Sequence, residues 1–158
     1  MTASAFSRAG PEWQLMAQVR RVHGTCVARG GAGVLLLGPA GAGKSDLALR
    51  LLSRGFNLVA DDQVMIEDGV ARAPPPLAGM LEVRGLGIVR LPFVTTARLA
   101  LAVELGRSER LPHAQNHPEL GLPLVRVSPD LGSAPERVAI ALDCALGIVP
   151  QVAGAFAP

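Results

Sequence analysis

The sequence predicts an α/β domain with a mixed sheet, short hairpins and flanking helices. Three observations carry that expectation. The apolar run Val34-Leu35-Leu36-Leu37 leads into a glycine-rich segment and then a helical pattern. The β-patterned stretches around it are short and joined by tight turns. Strand patterns also outnumber helical ones, unlike the regular alternation of a doubly wound sheet.

Residues 1–12 read as a flexible leader, 13–150 as a single domain and 151–158 as a flexible tail. Gln14–Val19 and Thr25–Arg29 have strand patterns, and Gly30-Gly31-Ala32-Gly33 turns the chain into Val34–Leu37. A helix is expected from Lys44 to about Arg54, with Leu47, Ala48 and Leu51 on one face and Gly55 to end it. Phe56–Ala60 reads as a short buried strand ending at Asp61-Asp62. Asp68-Gly69 fits a hairpin turn between Val64–Glu67 and Val70–Ala73, and Pro74-Pro75-Pro76 breaks regular structure. Arg98–Leu105 alternates, placing Leu99, Leu101, Val103 and Leu105 on one face. Residues 106–121 are polar and proline-punctuated, as a surface loop would be. Leu122–Val127 reads as a further strand. Ser133 with Glu136 matches a capping box opening a helix that runs to about Val149.

Composition excludes several function classes. In a 158-residue chain, 49% hydrophobic and 18% charged residues suit one compact domain rather than a disordered segment. A net charge of +2, with one Trp, four Phe and no Tyr, gives no basic, aromatic surface for nucleic acid. No apolar run reaches the roughly 18 residues of a membrane span, and the N-terminus lacks the order of a signal peptide. The expected location is therefore the cytoplasm, with no membrane partner. Cys26 and Cys144 stand far apart without a CxxC pattern and are expected as free thiols.

The chemistry concentrates in three segments. Gly38-Pro39-Ala40-Gly41-Ala42-Gly43-Lys44-Ser45 matches the phosphate-binding loop GxxxxGK[ST], flanked by the strand and helix it requires. Its glycines let backbone amides turn toward phosphate oxygens. Lys44, the one Lys among 15 basic residues, supplies a compact ammonium for the β- and γ-phosphates of ATP, and the Ser45 hydroxyl a ligand for Mg²⁺. Asp61-Asp62 then ends the next strand, where an acid can bind Mg²⁺ or take a proton beside the γ-phosphate. Because side chains alternate along a strand, one of the two is expected to face the phosphates; taken alone, the pair also reads as a solvated turn. In Leu81–Val89, Glu82 fits a metal ligand and Arg84 a phosphate clamp, or the two fit an ion pair along a strand edge. His23, before Gly24, reads as a surface residue or one supporting the site.

His23-Gly24, GPAGAGKS, Leu58-Val59-Ala60-Asp61-Asp62 and Leu81-Glu82-Val83-Arg84-Gly85-Leu86-Gly87-Ile88-Val89 occur in an order that resembles the catalytic domain of HPr kinase/phosphorylase. The resemblance spans about Val22 to Leu105. It implies the P-loop fold of the phosphoenolpyruvate-carboxykinase-like type, with ATP and Mg²⁺ as cofactors and an HPr-type phosphocarrier as the partner phosphorylated on serine. By the same resemblance, Asp62 takes the serine proton and returns it in the reverse, phosphate-dependent reaction. Ser45 and Glu82 hold Mg²⁺, and His23, Lys44 and Arg110 are catalytic. Family members commonly form hexamers, and longer ones carry a further N-terminal domain; this sequence is expected to correspond to the catalytic half alone. The segment around Arg126 matches the family's dephosphorylation loop only in part, so weak reverse activity is expected. The rival readings are a P-loop kinase of a small metabolite and a nucleotide-sensing module without transfer activity.

Overall fold

Short strands tied by glycine turns leave a sheet with little room for helices, and that is what the chain builds. The structure is a computed structural model describing residues 19–157. In chain order it contains β1 (Arg20–His23), β2 (Thr25–Arg29), β3 (Ala32–Leu37), α1 (Lys44–Leu52), β4 (Asn57–Ala60), β5 (Gln63–Glu67) and β6 (Val70–Arg72). A 3₁₀ turn (Pro75–Leu77) follows, then β7 (Met80–Val83), β8 (Gly87–Arg90), β9 (Ala97–Leu105), β10 (Leu124–Val127) and α2 (Ala134–Ala145). Of the strand expected at Gln14–Val19, residues 14–18 lie outside the described residues.

The main sheet has the order β1-β5-β6-β9-β3-β2-β4, with β10 also paired to β9. The β3–β9 and β9–β10 neighbours run parallel and the other pairs antiparallel. The sheet is therefore mixed, as expected. Asp68 and Gly69, at φ 52° and 75°, form the two-residue hairpin turn between β5 and β6. The segment from Leu81 folds on itself as a separate hairpin, β7 against β8.

Both helices cover one face of the sheet. There Leu47, Ala48 and Leu51 of α1 and Ala134, Val138 and Leu142 of α2 pack on Val34, Leu36, Leu101 and Val103. The opposite face buries Leu35, Val59, Val64, Ile66, Ala71 and Leu99. Leu99 departs from its expected side. The β3–β9 pairing runs Gly33 to Leu99 and then Val34 to Leu101, so one residue is extra and the alternation inverts across it. Leu101, Val103 and Leu105 stay on the helix side.

The α1 C-terminus closes as expected: Gly55 takes φ 88° and the Phe56 amide donates to the Leu51 carbonyl at 3.3 Å. The capping box at α2 does not form. Ser133 makes no side-chain cap; its hydroxyl accepts from Arg137 Nε at 2.9 Å, and Glu136 pairs with Arg54. The helix ends at Ala145, short of the expected Val149. Residues 151–157 lack regular structure, and Phe156 packs against the helix-side core.

Candidate functional site

The glycine-rich loop lies between the carboxyl end of β3 and the start of α1. Gly43, at the helix cap, has φ 103°, a conformation that L side chains rarely adopt. Around the loop is a cleft of about 330 Å³. Its lining unites His23 and Thr25 from β1 and β2, the loop with Lys44 and Ser45, Asp61 and Asp62 after β4, and Glu82 and Arg84 from the β7–β8 hairpin. Segments far apart in sequence therefore converge on one cavity.

Lys44 is buried, and its ammonium donates to the Gly38 and Pro39 carbonyls at 2.6 and 3.0 Å. That leaves one of its three N–H groups for an anion. Ala42 donates its amide to the Pro39 carbonyl at 3.1 Å and tightens the loop.

The two carboxylates have different settings. Asp61 is buried and accepts from Ser45 Oγ (2.8 Å to Oδ1, 3.0 Å to Oδ2), from Thr25 Oγ1 (2.8 Å) and from the Glu82 amide (3.3 Å). Asp62 has a side chain 65% exposed, with Oδ1 3.5 Å from His23 Nδ1. Both line the same cleft, contrary to the alternation expected of a strand. The reason is local: Asp62 sits at φ 72°, outside β4, and this left-handed residue cancels the alternation. Asp is among the few non-glycine residues that tolerate that region.

Glu82 and Arg84 both line the cleft, and no ion pair joins them among the described residues. Arg110 is different. It is exposed in the 106–121 loop and does not line the cleft, so the structure does not bring it to the other candidates. Arg126 pairs with Glu104 at 3.0 Å on the neighbouring strand. Cys26, one position from Thr25, is fully buried, and burial pushes its thiol up to about 12; it is not a nucleophile at neutral pH.

The sequence reading missed Thr25. Its signal was present as one polar residue heading an apolar strand, directly after His23-Gly24. Its meaning depends on the strand that lies opposite.

The donor set suits a hard cation. Ser45 gives its proton to Asp61 and keeps its lone pairs, and Glu82 adds a carboxylate to the same cleft. No group of three or more His, Cys, Asp or Glu among the described residues is arranged to hold a metal ion by itself.

A family model described as the HPr Serine kinase C-terminal domain matches residues 14–107. An HPr kinase/phosphorylase of Clostridium novyi is 49% identical over 81 residues, covering 49% of this chain and 26% of that protein. One of Burkholderia lata is 41% identical over 133 residues, covering 73% of this chain and 41% of that protein. The chain thus spans less than half the length of either relative. In fold it is similar to the solved HPr(Ser) kinase/phosphatase from Coxiella burnetii, with TM-score 0.66, 24% identity, and coverage of 82% of this chain and 92% of the other.

Proposed function

The chain belongs to the HPr serine kinase C-terminal domain family, and from that premise we propose that it transfers the γ-phosphoryl group of ATP to a serine of an HPr-type phosphocarrier. One observation carries the proposal most: two adjacent carboxylates with unlike surroundings share the phosphate-loop cleft. Asp61, buried and bonded to Ser45, is suited to the metal side. Asp62, exposed beside His23, is open to an incoming hydroxyl and is assigned as the proton acceptor.

The loop amides and Lys44 bind the phosphates, with the positive end of α1 aimed the same way. Ser45 and Glu82, with Asp61 behind Ser45, hold Mg²⁺, which when bound neutralises developing phosphate charge. Arg84, which lines the cleft, is assigned as the clamp on phosphate oxygens. His23 acts beside Asp62. In the reverse direction, inorganic phosphate held by the loop attacks the phosphorus of phosphoserine, the bond from phosphorus to the serine oxygen breaks, pyrophosphate leaves, and protonated Asp62 returns its proton to the serine oxygen. With Arg126 engaged by Glu104, that direction is expected to be weak. A catalytic role for Arg110 requires the 106–121 loop to move, or a neighbouring subunit of a hexamer to receive it. Cytoplasm, where a soluble phosphocarrier resides, is the proposed location. Among the described residues, no helix is long and apolar enough to cross a membrane.

The test is incubation with ATP, Mg²⁺ and purified HPr, followed by mass spectrometry. One phosphoryl group on a serine is expected. Unmodified HPr, with a phosphorylated product in a parallel incubation that supplies common metabolites in place of HPr, would point to a small-molecule kinase, and nucleotide binding with no transfer in either to a sensing module.

A further inference from the structure

We propose that Thr25 is a positioning residue for the metal side of the cleft, acting through Asp61. The inference rests on the magnesium-nucleotide reading of the cleft and not on the identity of the acceptor. Thr25 is fully buried among core residues, next to Cys26 and Val27. A hydroxyl there is costly to bury unless bonded, and its bond goes to Asp61 Oδ1 at 2.8 Å.

Strand register holds the two together. Cys26 pairs with Ala60, His23 pairs with Gln63, and the Gly24 amide donates to the Asp62 carbonyl at 3.1 Å. Thr25 therefore stands opposite Asp61 between fixed pairings. Gly24 lies close against β3, where an added Cβ would sit 2.9 Å from the Leu36 carbonyl oxygen, so this register requires glycine there. The β-branched Thr side chain also has few rotamers to explore.

The Asp61 carboxylate receives three donors: the hydroxyls of Thr25 and Ser45 and the Glu82 amide. Two of these, from Thr25 and Glu82, come from strands and set the plane of the carboxylate. The third, Ser45, then has an acceptor of fixed direction for its proton, which keeps the hydroxyl lone pairs free for a cation. Without the Thr25 hydroxyl, Asp61 has one strand-borne donor and can rotate, and Ser45 turns with it.

The experiment is a Mg²⁺ titration of the full chain binding a fluorescent ATP analogue, with no acceptor protein present. Thr25→Val is expected to raise the Mg²⁺ concentration for half-maximal binding roughly tenfold, the low end for losing a group that orients a metal ligand. Thr25→Ser, which keeps the hydroxyl, is expected to bind as wild type does. In an Asp61→Asn background, Thr25→Val is expected to add no further loss. A Thr25→Val titration that overlays wild type overturns the proposal, as does a Thr25→Ser variant as weak as Thr25→Val, or additive losses in the double variant. If Thr25→Val does not fold, Thr25→Ala is titrated against the same criteria, and Thr25→Ser decides alone if neither folds. Failure to phosphorylate HPr would leave this result standing, whereas wild-type binding indifferent to Mg²⁺ would overturn the metal reading itself.

Discussion

The two helices pack on the same face of the sheet and share one core, yet their N-termini are built for different purposes. Neither has a side-chain cap. At α2 the start is closed locally. Pro135 has no amide to satisfy, the Ala134 amide donates to the Leu131 carbonyl at 3.1 Å, and Glu136 in the first turn is held by Arg54. At α1 the chain arrives through a glycine-rich loop, and the first turn faces a cleft that also holds Lys44 and Ser45. Both termini carry the same dipole. The comparison shows that a helix start stays open to a cavity when a glycine-rich loop leads into it, and closes when its own turn absorbs the donors.

The strongest way to break this comparison is Lys44→Ala. Nucleotide binding and transfer are expected to fall below detection while the domain stays folded with only a modest loss of Tm, because the buried ammonium bonds to the Gly38 and Pro39 carbonyls of the loop. Equilibrium dialysis with ATP and a thermal melt test both halves, and an unchanged transfer rate would remove the cleft from consideration.

Asp62→Asn is expected to keep nucleotide binding and lower transfer to HPr roughly 10²-fold or more, the scale for losing a positioned base. Asp61→Asn should be the milder of the two in kcat. Equal losses, or a larger one at Asp61, would reverse the assigned roles.

Glu82→Gln should raise the Mg²⁺ concentration for half-maximal activity, since an amide is a poorer ligand for a hard cation. An unchanged titration would make Glu82 a structural residue of the β7–β8 hairpin.

The smallest effect is expected at the closed helix. Arg54 beside Glu136 holds that carboxyl below its ordinary value of 4.5. A group with a lowered folded-state pKa stabilises fully above the unfolded value and loses that contribution as pH falls through the folded one. Glu136→Gln should therefore lower Tm slightly at neutral pH and low salt, and the difference should vanish in acid or high salt. Nucleotide binding should not change; a change would mean that α2 is coupled to the cleft.

Much of the site was legible because its chemistry is written in contiguous residues. A glycine-rich loop after an apolar strand and before an amphipathic helix can hardly fold otherwise. The same is true of the Asp68-Gly69 turn, where two adjacent positive φ values need residues that accept them. Two of the errors were of one kind. Expecting Leu99 with Leu101, or only one of Asp61 and Asp62 in the cleft, assumed unbroken alternation. A bulge in β9 and one left-handed residue after β4 broke it. The capping box failed because its glutamate had a better partner in Arg54, from the end of α1.

The sequence by itself determined the mixed α/β class and the glycine-rich loop between an apolar strand and a helix, and it named the residues proposed to bind metal or carry a proton, since each depends on neighbours a few positions away. Only the tertiary structure decided that Thr25 stands against Asp61, that the β7–β8 hairpin brings Glu82 to the cleft that Ser45 lines, and that Arg110 lies outside that cleft. Those relations depend on strand register and loop path. Both are set by burying two opposite apolar faces at once, and no local stretch of chain encodes that condition.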